Sequence, residues 1–560
     1  MNAMEQKDKM VIYQVFPRWF GNNRLAPVKN GSLAENGVGK FSAFTPLALS
    51  KIKELGITHV WYTGVIEHAT KTDYSAYGIR KDHSAVVKGK AGSPYAIKDY
   101  YDIDPDLADN VHNRMGEFEE LVRRTHEAGL KVIIDFVPNH VARQYFSDVR
   151  EPFVEDLGQH DNVSKAFDVN NNFYYLPGQT LVFRFDPQRE EDYAYSEFPA
   201  KVTGNNHFDA FPSQNDWYET VKLNYGVDYY AGGVGYFNPV PDTWFKMRDI
   251  LLFWASKGIQ GVRCDMAEMV PVEFWRWAIA EVRRQYPDYL FIGEVYNPAL
   301  YRQYVEAGFT YLYDKVGMYD TLRDITAGGS ATRITSAWQS TDDIANHMLY
   351  FLENHDEQRI ASQFFAGDAF KAVPAFVVST LFRSCPYMHY FAQEYGEKGM
   401  DKEGFSGCDG RTTIFDYWSV DTMCRADEGK LTDDEKALAD IYSRIMNFAR
   451  TDKTVSGQSY DLMYANPHSA SFNPDRQYAF LRRSGRQLLV VVVNFDSLDR
   501  NIKLNIPEHA FEYLNLPDGK DIEGEDILTG ASVAVRLSSQ EPLSIIVPKN
   551  GAAILKFNKA

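Results

Sequence analysis

Three acids close short apolar runs in this chain: Asp265 ends IQGVRCD, Glu294 follows YLFIG, and Asp356 ends HMLYFLENHD. Other groups able to donate, accept or carry charge stand at equivalent places: Asp135, Asn139 and His140 in KVIIDFVPNH, Arg263 two residues before Asp265, and His355 beside Asp356. Asp265 and Glu294 are 29 residues apart, and Glu294 and Asp356 are 62 apart. Those are the lengths of one and two strand–loop–helix units, so a closed ring of parallel strands would bring all three acids to one rim. Two carboxyl groups about 5–5.5 Å apart can divide the work of retaining glycoside hydrolysis, one attacking the anomeric carbon and the other protonating the departing oxygen. That division needs unlike pKa values. Arg263 shares a strand face with Asp265 and is expected to hold it ionised. Glu294 has no cation nearby in sequence, and neighbouring acids are expected to raise its pKa toward the proton-donor range. One strand-end acid alone would read as a rim salt bridge; three at this spacing, with Arg and His beside them, favour chemistry.

The elements that must position these groups are legible as a rhythm. VIYQVF, ITHVWYTG and KVIIDFVPNH alternate with helices near 46–55 and 117–128, and the run from Val132 to Val137 has the continuous apolar character of a strand buried on both faces. After His140 the rhythm stops. Residues 141–227, rich in Asn, Asp, Gly, Pro, Phe and Tyr without helical periodicity, are too long for a plain loop and read as an inserted subdomain. Helices near 242–256 and 271–285 then separate IQGVRCD and YLFIGEV, and FTYLYD, HMLYFLENHD and PYMHYFAQE bring the strand count to eight. The predicted fold is α/β: a (β/α)8 barrel with an insertion after the third strand, closed by a helix near 432–450 and followed by an antiparallel β-sandwich domain. The expected divisions are 1–140 and 228–453 for the barrel, 141–227 for the insertion and 454–560 for the β-domain. Within the last, QLLVVVV is aggregation-prone unless it is a central strand.

Composition excludes other classes. A net charge of −17 repels phosphate backbones, so nucleic acid is not an expected partner. No apolar stretch approaches the roughly 18–20 residues of a membrane span. The charged start, MNAMEQKDKM, is not a signal peptide, which implies a cytoplasmic protein as written, or a periplasmic or secreted one whose leader was removed. Cys264, Cys385, Cys408 and Cys424 have no metal-type spacing and suggest no disulfide framework, although Cys408 and Cys424 share one loop-rich stretch and could bond in an oxidising compartment. His207 and Asp209 lack a second ligand pair. Aromatic residues make up 14% of the chain, an excess suited to stacking on sugars, and Trp217, Tyr218, Tyr225, Tyr229, Tyr230 and Tyr236 concentrate in or beside the insertion, where domain core is the expected role for most.

Taken together, DFVPNH, GVRCD, FIGEV and ENHDEQR resemble, in order, the four conserved segments of the α-amylase family, glycoside hydrolase family 13. The resemblance covers most of the chain: the insertion is similar to that family's domain B and the C-terminal β-domain to its domain C. It implies that Asp265 is the catalytic nucleophile, Glu294 the general acid/base and Asp356 the acid that binds and distorts the sugar at the cleavage point. It likewise implies that His140 and His355 hydrogen-bond that sugar, that Arg263 orients the nucleophile and that Asp135 supports the site. SPYAIKDYYDIDP resembles the segment after the second strand, making Tyr95 the stacking platform, with Asp104 its neighbour in the motif. Many relatives bind calcium between barrel and insertion through the asparagine at Asn139. A hard cation wants six to eight oxygens, and no other ligands are identifiable in 141–227. Nothing calls for an organic cofactor.

Two residues depart from the pattern. After the nucleophile the chain reads MAEMV, so Glu268 and Met269 stand where many relatives carry Lys and His on the leaving-group side, and an acid cannot donate as Lys does. The expected activity is therefore a retaining α-glucan hydrolase acting on α-1,4 bonds of starch, glycogen or maltooligosaccharides. A transglycosylase, or an enzyme acting on cyclodextrin, pullulan or α-1,6 bonds, is the alternative. A glucan-binding protein on a dead barrel would be expected to have lost one of the three acids. The oligomeric state is not legible in the sequence.

Overall fold

A computed structural model describes residues 9–399 and 408–560. Eight parallel strands close the barrel: β1 (Val11–Val15), β2 (His59–Tyr62), β3 (Lys131–Phe136), β4 (Gly261–Cys264), β5 (Leu290–Gly293), β6 (Tyr311–Tyr313), β7 (Met348–Phe351) and β8 (Tyr387–Tyr390). They neighbour one another in chain order, and β1 pairs with β8 to complete the ring. The β3 run is buried from Val132 onward, as a strand covered on both faces requires. The barrel interior is packed with Ile12, Trp61, Ile133, Ile292, Tyr313, Leu349, Phe351 and Met388, while the larger core lies between the strands and the outer helices.

Local chemistry starts and stops the helices near their expected positions. Thr45 caps Pro46–Glu54 through its hydroxyl, with Pro46 at the first helical turn where its missing N–H costs nothing. Thr432 and Glu435 form a reciprocal capping box on Asp433–Thr451. Helices Arg114–Glu127, Asp242–Ser256 and Val272–Gln285 each bury an apolar stripe against the strands.

The insertion follows β3. It is held by short antiparallel pairs: His140–Ala142 with Thr220–Lys222, Tyr175–Leu176 with Ala200–Lys201, and Val227–Asp228 with Val234–Gly235. A small core of Tyr174, Leu176, Leu181, Ala200, Val202 and Ala210 sits within it. A second excursion, between β2 and helix Arg114–Glu127, forms a hairpin from Ile66–His68 and Ile97–Ile103.

The C-terminal domain is a six-stranded antiparallel sheet with a separate two-stranded pair, Arg500–Leu504 with Leu543–Val547. Gln487–Asn494, which contains the apolar QLLVVVV run, is paired on both sides, by Gln477–Ser484 and Gly551–Phe557. Its edges are thereby covered, which removes the template for aggregation. All four cysteines are free; Cys424 donates its thiol to the Asn22 carbonyl instead of meeting Cys408. No helix among the described residues is long and apolar enough to cross a membrane.

The loop that carries Tyr95 turns at Gly92, whose φ of +80° lies in the left-handed region. A Cβ there would lie 1.7 Å from the Ala69 carbonyl oxygen, which is backbone and cannot step aside. Gly92→Ala is expected to cost about 1–3 kcal/mol from strain alone, read as a lowered urea midpoint; an unchanged midpoint would show that the turn can relax.

Candidate active site

The registry of the barrel brings the predicted acids together. Arg263 on β4 pairs directly with Asp135 on β3, which places both side chains on the inner face at the same level. Beyond the last paired residues the ladder continues, from Asp265 N to the Phe136 carbonyl (2.9 Å) and from Glu294 N to the Cys264 carbonyl (3.1 Å). Asp265 and Glu294 therefore leave adjacent strands side by side. His355 and Asp356 arrive after β7 on a tight turn in which the Asn354 side chain accepts from Asp356 N and Glu357 N.

At the centre lies the Arg263 guanidinium, fully buried. Its Nη1 donates to Asp265 Oδ1 at 2.9 Å and reaches Asp135 Oδ1 at 3.5 Å; its Nη2 pairs with Glu294 Oε2 at 2.8 Å. Trp61, Tyr95 and Tyr313 surround it with ring centroids 5.3–5.6 Å away. Glu294 thus gains a cation that nearness in sequence did not offer: Arg263 stands on the neighbouring strand, 2.8 Å away in space. It also changes the account of Asp265. Burial pushes the Asp265 carboxyl well above the usual carboxylate range, and Arg263 opposes that shift without cancelling it, while Glu294, Asp356 and Asp135 add to it. Asp135 is raised to about 6 by burial, against Arg263 and the hydrogen bonds it accepts from Trp61 Nε1 (3.0 Å), Gly64 N (3.4 Å) and Tyr95 Oη (3.4 Å).

Tyr95 and His355 form one unit. Their rings stack at 5.1 Å and 18°, and Tyr95 Oη lies 2.7 Å from His355 Nε2. Gln14 Nε2 lies 2.8 Å from His355 Nδ1, an orientation that makes Nδ1 the acceptor and leaves the proton on Nε2, facing Tyr95 and Asp356 Oδ2 (3.1 Å). Burial and Arg263 hold the imidazole well below its ordinary pKa, so it acts as a neutral donor. The Asp356 side chain is 40% exposed, the most open of the three acids.

Glu294 is gripped from two further sides: Oε2 accepts from Met266 N at 2.8 Å and Oε1 from Tyr296 Oη at 2.7 Å. Met266 takes a left-handed conformation, φ 43°, that brings this N–H round. Glu268, whose place suggested a leaving-group contact, instead turns Oε2 to the backbone N–H groups of Tyr296 (3.1 Å) and Asn297 (2.9 Å). It fixes the loop that carries Tyr296. Gln14, Trp61, Tyr296 and Tyr313 were not singled out from sequence. Tyr296 could have been, being two residues after Glu294 on the same face, and Gln14 and Trp61 occupy inward positions on β1 and β2 that pair with each other.

His140 and Asn139 stand at the base of the insertion. His140 packs against Trp217 (5.1 Å) and is held down to about 3 by burial and by Lys222. Asn139 Nδ2 donates to the Gly204 carbonyl (2.8 Å), and its Oδ1 accepts from the buried Lys222 Nζ (2.8 Å). Both polar atoms of the Asn139 side chain are thus committed within the chain, and Oδ1, the atom a calcium ion would use, already accepts from Lys222. Tyr218 and Tyr225 are core residues; Tyr229, Tyr230 and Tyr236 are exposed. Asp104 is turned away from the acids, hydrogen-bonding Asp106 N (3.0 Å) with His68 3.7 Å away. His207 lies between two carboxylates, its Nε2 2.8 Å from Asp209 Oδ1 and its Nδ1 3.6 Å from Asp216 Oδ1.

Comparison with known proteins gives the family. The model of the α-amylase catalytic domain matches residues 14–443, and that of the α-amylase C-terminal all-β domain matches 469–558. The chain belongs to the α-amylase family and carries its catalytic barrel followed by its C-terminal β-domain. A cyclomaltodextrinase from Thermoanaerobacter pseudethanolicus is 23% identical over 535 residues, covering 92% of this chain and 75% of that protein. An α-1,4-glucan:maltose-1-phosphate maltosyltransferase from Cereibacter sphaeroides is 25% identical over 250 residues, 42% of this chain, so the match spans about a third of that relative's length (32%). Among solved structures, a maltogenic α-amylase, AmyB, from Thermotoga neapolitana superposes with a TM-score of 0.63 at 19% identity over 98% of both chains, a likeness of fold.

Removing the Arg263 charge should strand its partners. Arg263→Leu is expected to destabilise the protein by about 3–5 kcal/mol at neutral pH. Because the buried Asp135 and Asp265 carboxyls have pKa values above their unfolded values, the loss should be smaller near pH 5, where they hold protons, and grow as pH rises through 6 and beyond. Urea unfolding at the two pH values checks this; a pH-independent loss would contradict it. Lys222→Met removes the buried amine donor from Asn139 and is expected to cost about 1–3 kcal/mol, read as a Tm below that of the wild-type chain both with and without Ca2+.

Proposed function

We propose that this protein is a retaining α-glucan hydrolase that cleaves α-1,4 bonds of starch, glycogen or maltooligosaccharides. The observation that carries the reading is the placement of Asp265 and Glu294 on adjacent strand ends under one guanidinium, with Asp356 and His355 facing them. Asp265 attacks the anomeric carbon as the glycosidic bond breaks, and Glu294, protonated, gives its proton to the departing oxygen. The resulting glycosyl ester on Asp265 is then hydrolysed by a water whose proton Glu294 takes back, restoring both groups. Asp356 and the neutral His355 hold sugar hydroxyls, and Tyr95 offers the ring against which the sugar rests. Asp135 and Arg263 act behind these groups by balancing charge. In this reading Lys222, not an ion on Asn139, ties the insertion to the barrel.

A second reading within the same chemistry, action on cyclic or branched glucans or transfer to another sugar, is favoured by the relatives: besides the cyclomaltodextrinase, a neopullulanase from Thermoactinomyces vulgaris is 21% identical over 93% of this chain. Glu268, at the place where the resemblance puts a Lys in many relatives, spends Oε2 on the backbone N–H groups of Tyr296 and Asn297.

Glu294→Gln is expected to lower turnover of maltoheptaose by about 10²–10⁴-fold, and Asp265→Asn by at least as much, with circular dichroism unchanged. Near-normal activity in either variant would overturn the assignment. A time course on maltoheptaose, pullulan and cyclodextrin, followed by chromatography and NMR of the anomeric protons, separates the readings. Short α-configured products support hydrolysis with retention, longer products support transfer, and faster turnover of pullulan or cyclodextrin supports the second reading.

A further inference from the structure

Away from the catalytic rim, the hairpin between β2 and helix Arg114–Glu127 buries a group of carboxylates that the mechanism does not use. The hairpin register pairs Glu67 with Asp99, and irregularities on either side of Glu67 bring Asp102 to the same place. One oxygen from each of the three lies within 4.8 Å of the others. That is the span of two ligands on opposite sides of a calcium ion, each about 2.4 Å from it. All three are buried, with exposures of 1%, 0% and 2%.

Their partners leave a clear deficit. Asp102 Oδ2 is held by Arg114, and Oδ1 accepts from Ile103 N (2.7 Å). Asp99 Oδ1 accepts from Tyr101 N (2.8 Å), and Oδ2 from Asp148 N (2.8 Å) and Val149 N (3.4 Å). Glu67 differs: neither carboxylate oxygen has a hydrogen-bond partner. The nearest cation, Lys98 Nζ, is 3.8 Å from Oε1 and is committed to Asp82 Oδ2 (3.2 Å) and the Arg80 carbonyl. Four buried carboxylates (Glu67, Asp82, Asp99, Asp102) thus face two cations (Lys98, Arg114), and Asp148 adds negative charge at the edge. A buried carboxylate left without a partner is costly, and a divalent ion supplies positive charge at that place.

We propose that Glu67, Asp99 and Asp102 form a binding site for a hard divalent cation, with Ca2+ as the fitting probe. All-oxygen, all-carboxylate donors select that class over soft transition metals. The ion completes the coordination of Glu67 and ties three segments together: the hairpin whose second strand begins just after Tyr95, the helix that starts at Arg114, and the first stretch of the insertion, which Asp99 already holds through Asp148 and Val149. It is structural, does not touch the reacting atoms, and is distinct from Asn139.

The test uses the full chain, stripped with EDTA and dialysed into metal-free buffer. Calorimetric titration with CaCl2 should show one ion bound per chain, and Tm should rise by several degrees in Ca2+ but not in NaCl of equal ionic strength. Glu67→Gln and Asp99→Asn should lose the bound ion, while Asn139→Ala should keep it. If Glu67→Gln does not fold, Glu67→Asp, one methylene shorter, should weaken binding at least about tenfold. No ion bound by the stripped wild-type chain would overturn the proposal, as would an ion lost in Asn139→Ala but kept in the Glu67 and Asp99 variants.

Discussion

One buried guanidinium organises the catalytic end of this barrel. Arg263 lies among Asp135, Asp265 and Glu294, and without it three carboxyl groups would share a dry space with no counter-charge. The cost of burying so much negative charge is offset only where the cation is buried with it and its neighbours are aromatic rather than aqueous, as Trp61, Tyr95 and Tyr313 are here. The arrangement also explains why the acids are not interchangeable. Asp265 accepts from the guanidinium, whereas Glu294 is in addition gripped by the Met266 N–H and the Tyr296 hydroxyl. The two carboxyl groups share a cation and differ in everything else around them.

Around that centre the loops are pinned by polar groups that never approach a reacting atom. Gln14 sets the imidazole tautomer of His355 from the opposite side of the ring, so that its proton faces Tyr95 and Asp356. Glu268 holds the backbone after β5 and through it the Tyr296 hydroxyl on Glu294. Lys222 reaches from the far end of the insertion to Asn139, so the insertion is fastened at the strand end where the site begins. In each case a side chain from one excursion satisfies a buried polar group on another, which gives a site built on loops the rigidity of one built on strands.

The comparisons join this chain to a family whose matched members share the barrel and carry names for several different α-glucan activities. The relatives include proteins named for cyclic dextrins, pullulan and maltosyl transfer as well as amylases, all at 25% identity or below. In this chain the loop after β5 is fastened inward by Glu268.

The eight strands and the flanking helices were legible from sequence because each is a local pattern: apolar runs such as VIIDF, caps at Thr45 and Thr432, and an abrupt loss of periodicity after His140. The three acids, His355 and Arg263 were legible for the same reason, since they stand at strand ends and only the closure of the ring was needed to gather them. Three features were decided only by the tertiary structure: the second contact of Arg263, with Glu294, the occupation of Asn139 by Lys222, and the turning of Glu268 toward residues 296–297. Each depends on a group 28 to 83 residues away, and on how burial raises or lowers a charge once water is excluded. Sequence spacing carries strand faces and order; it does not carry which distant side chain will fill a given lone pair, because packing in three dimensions makes that choice.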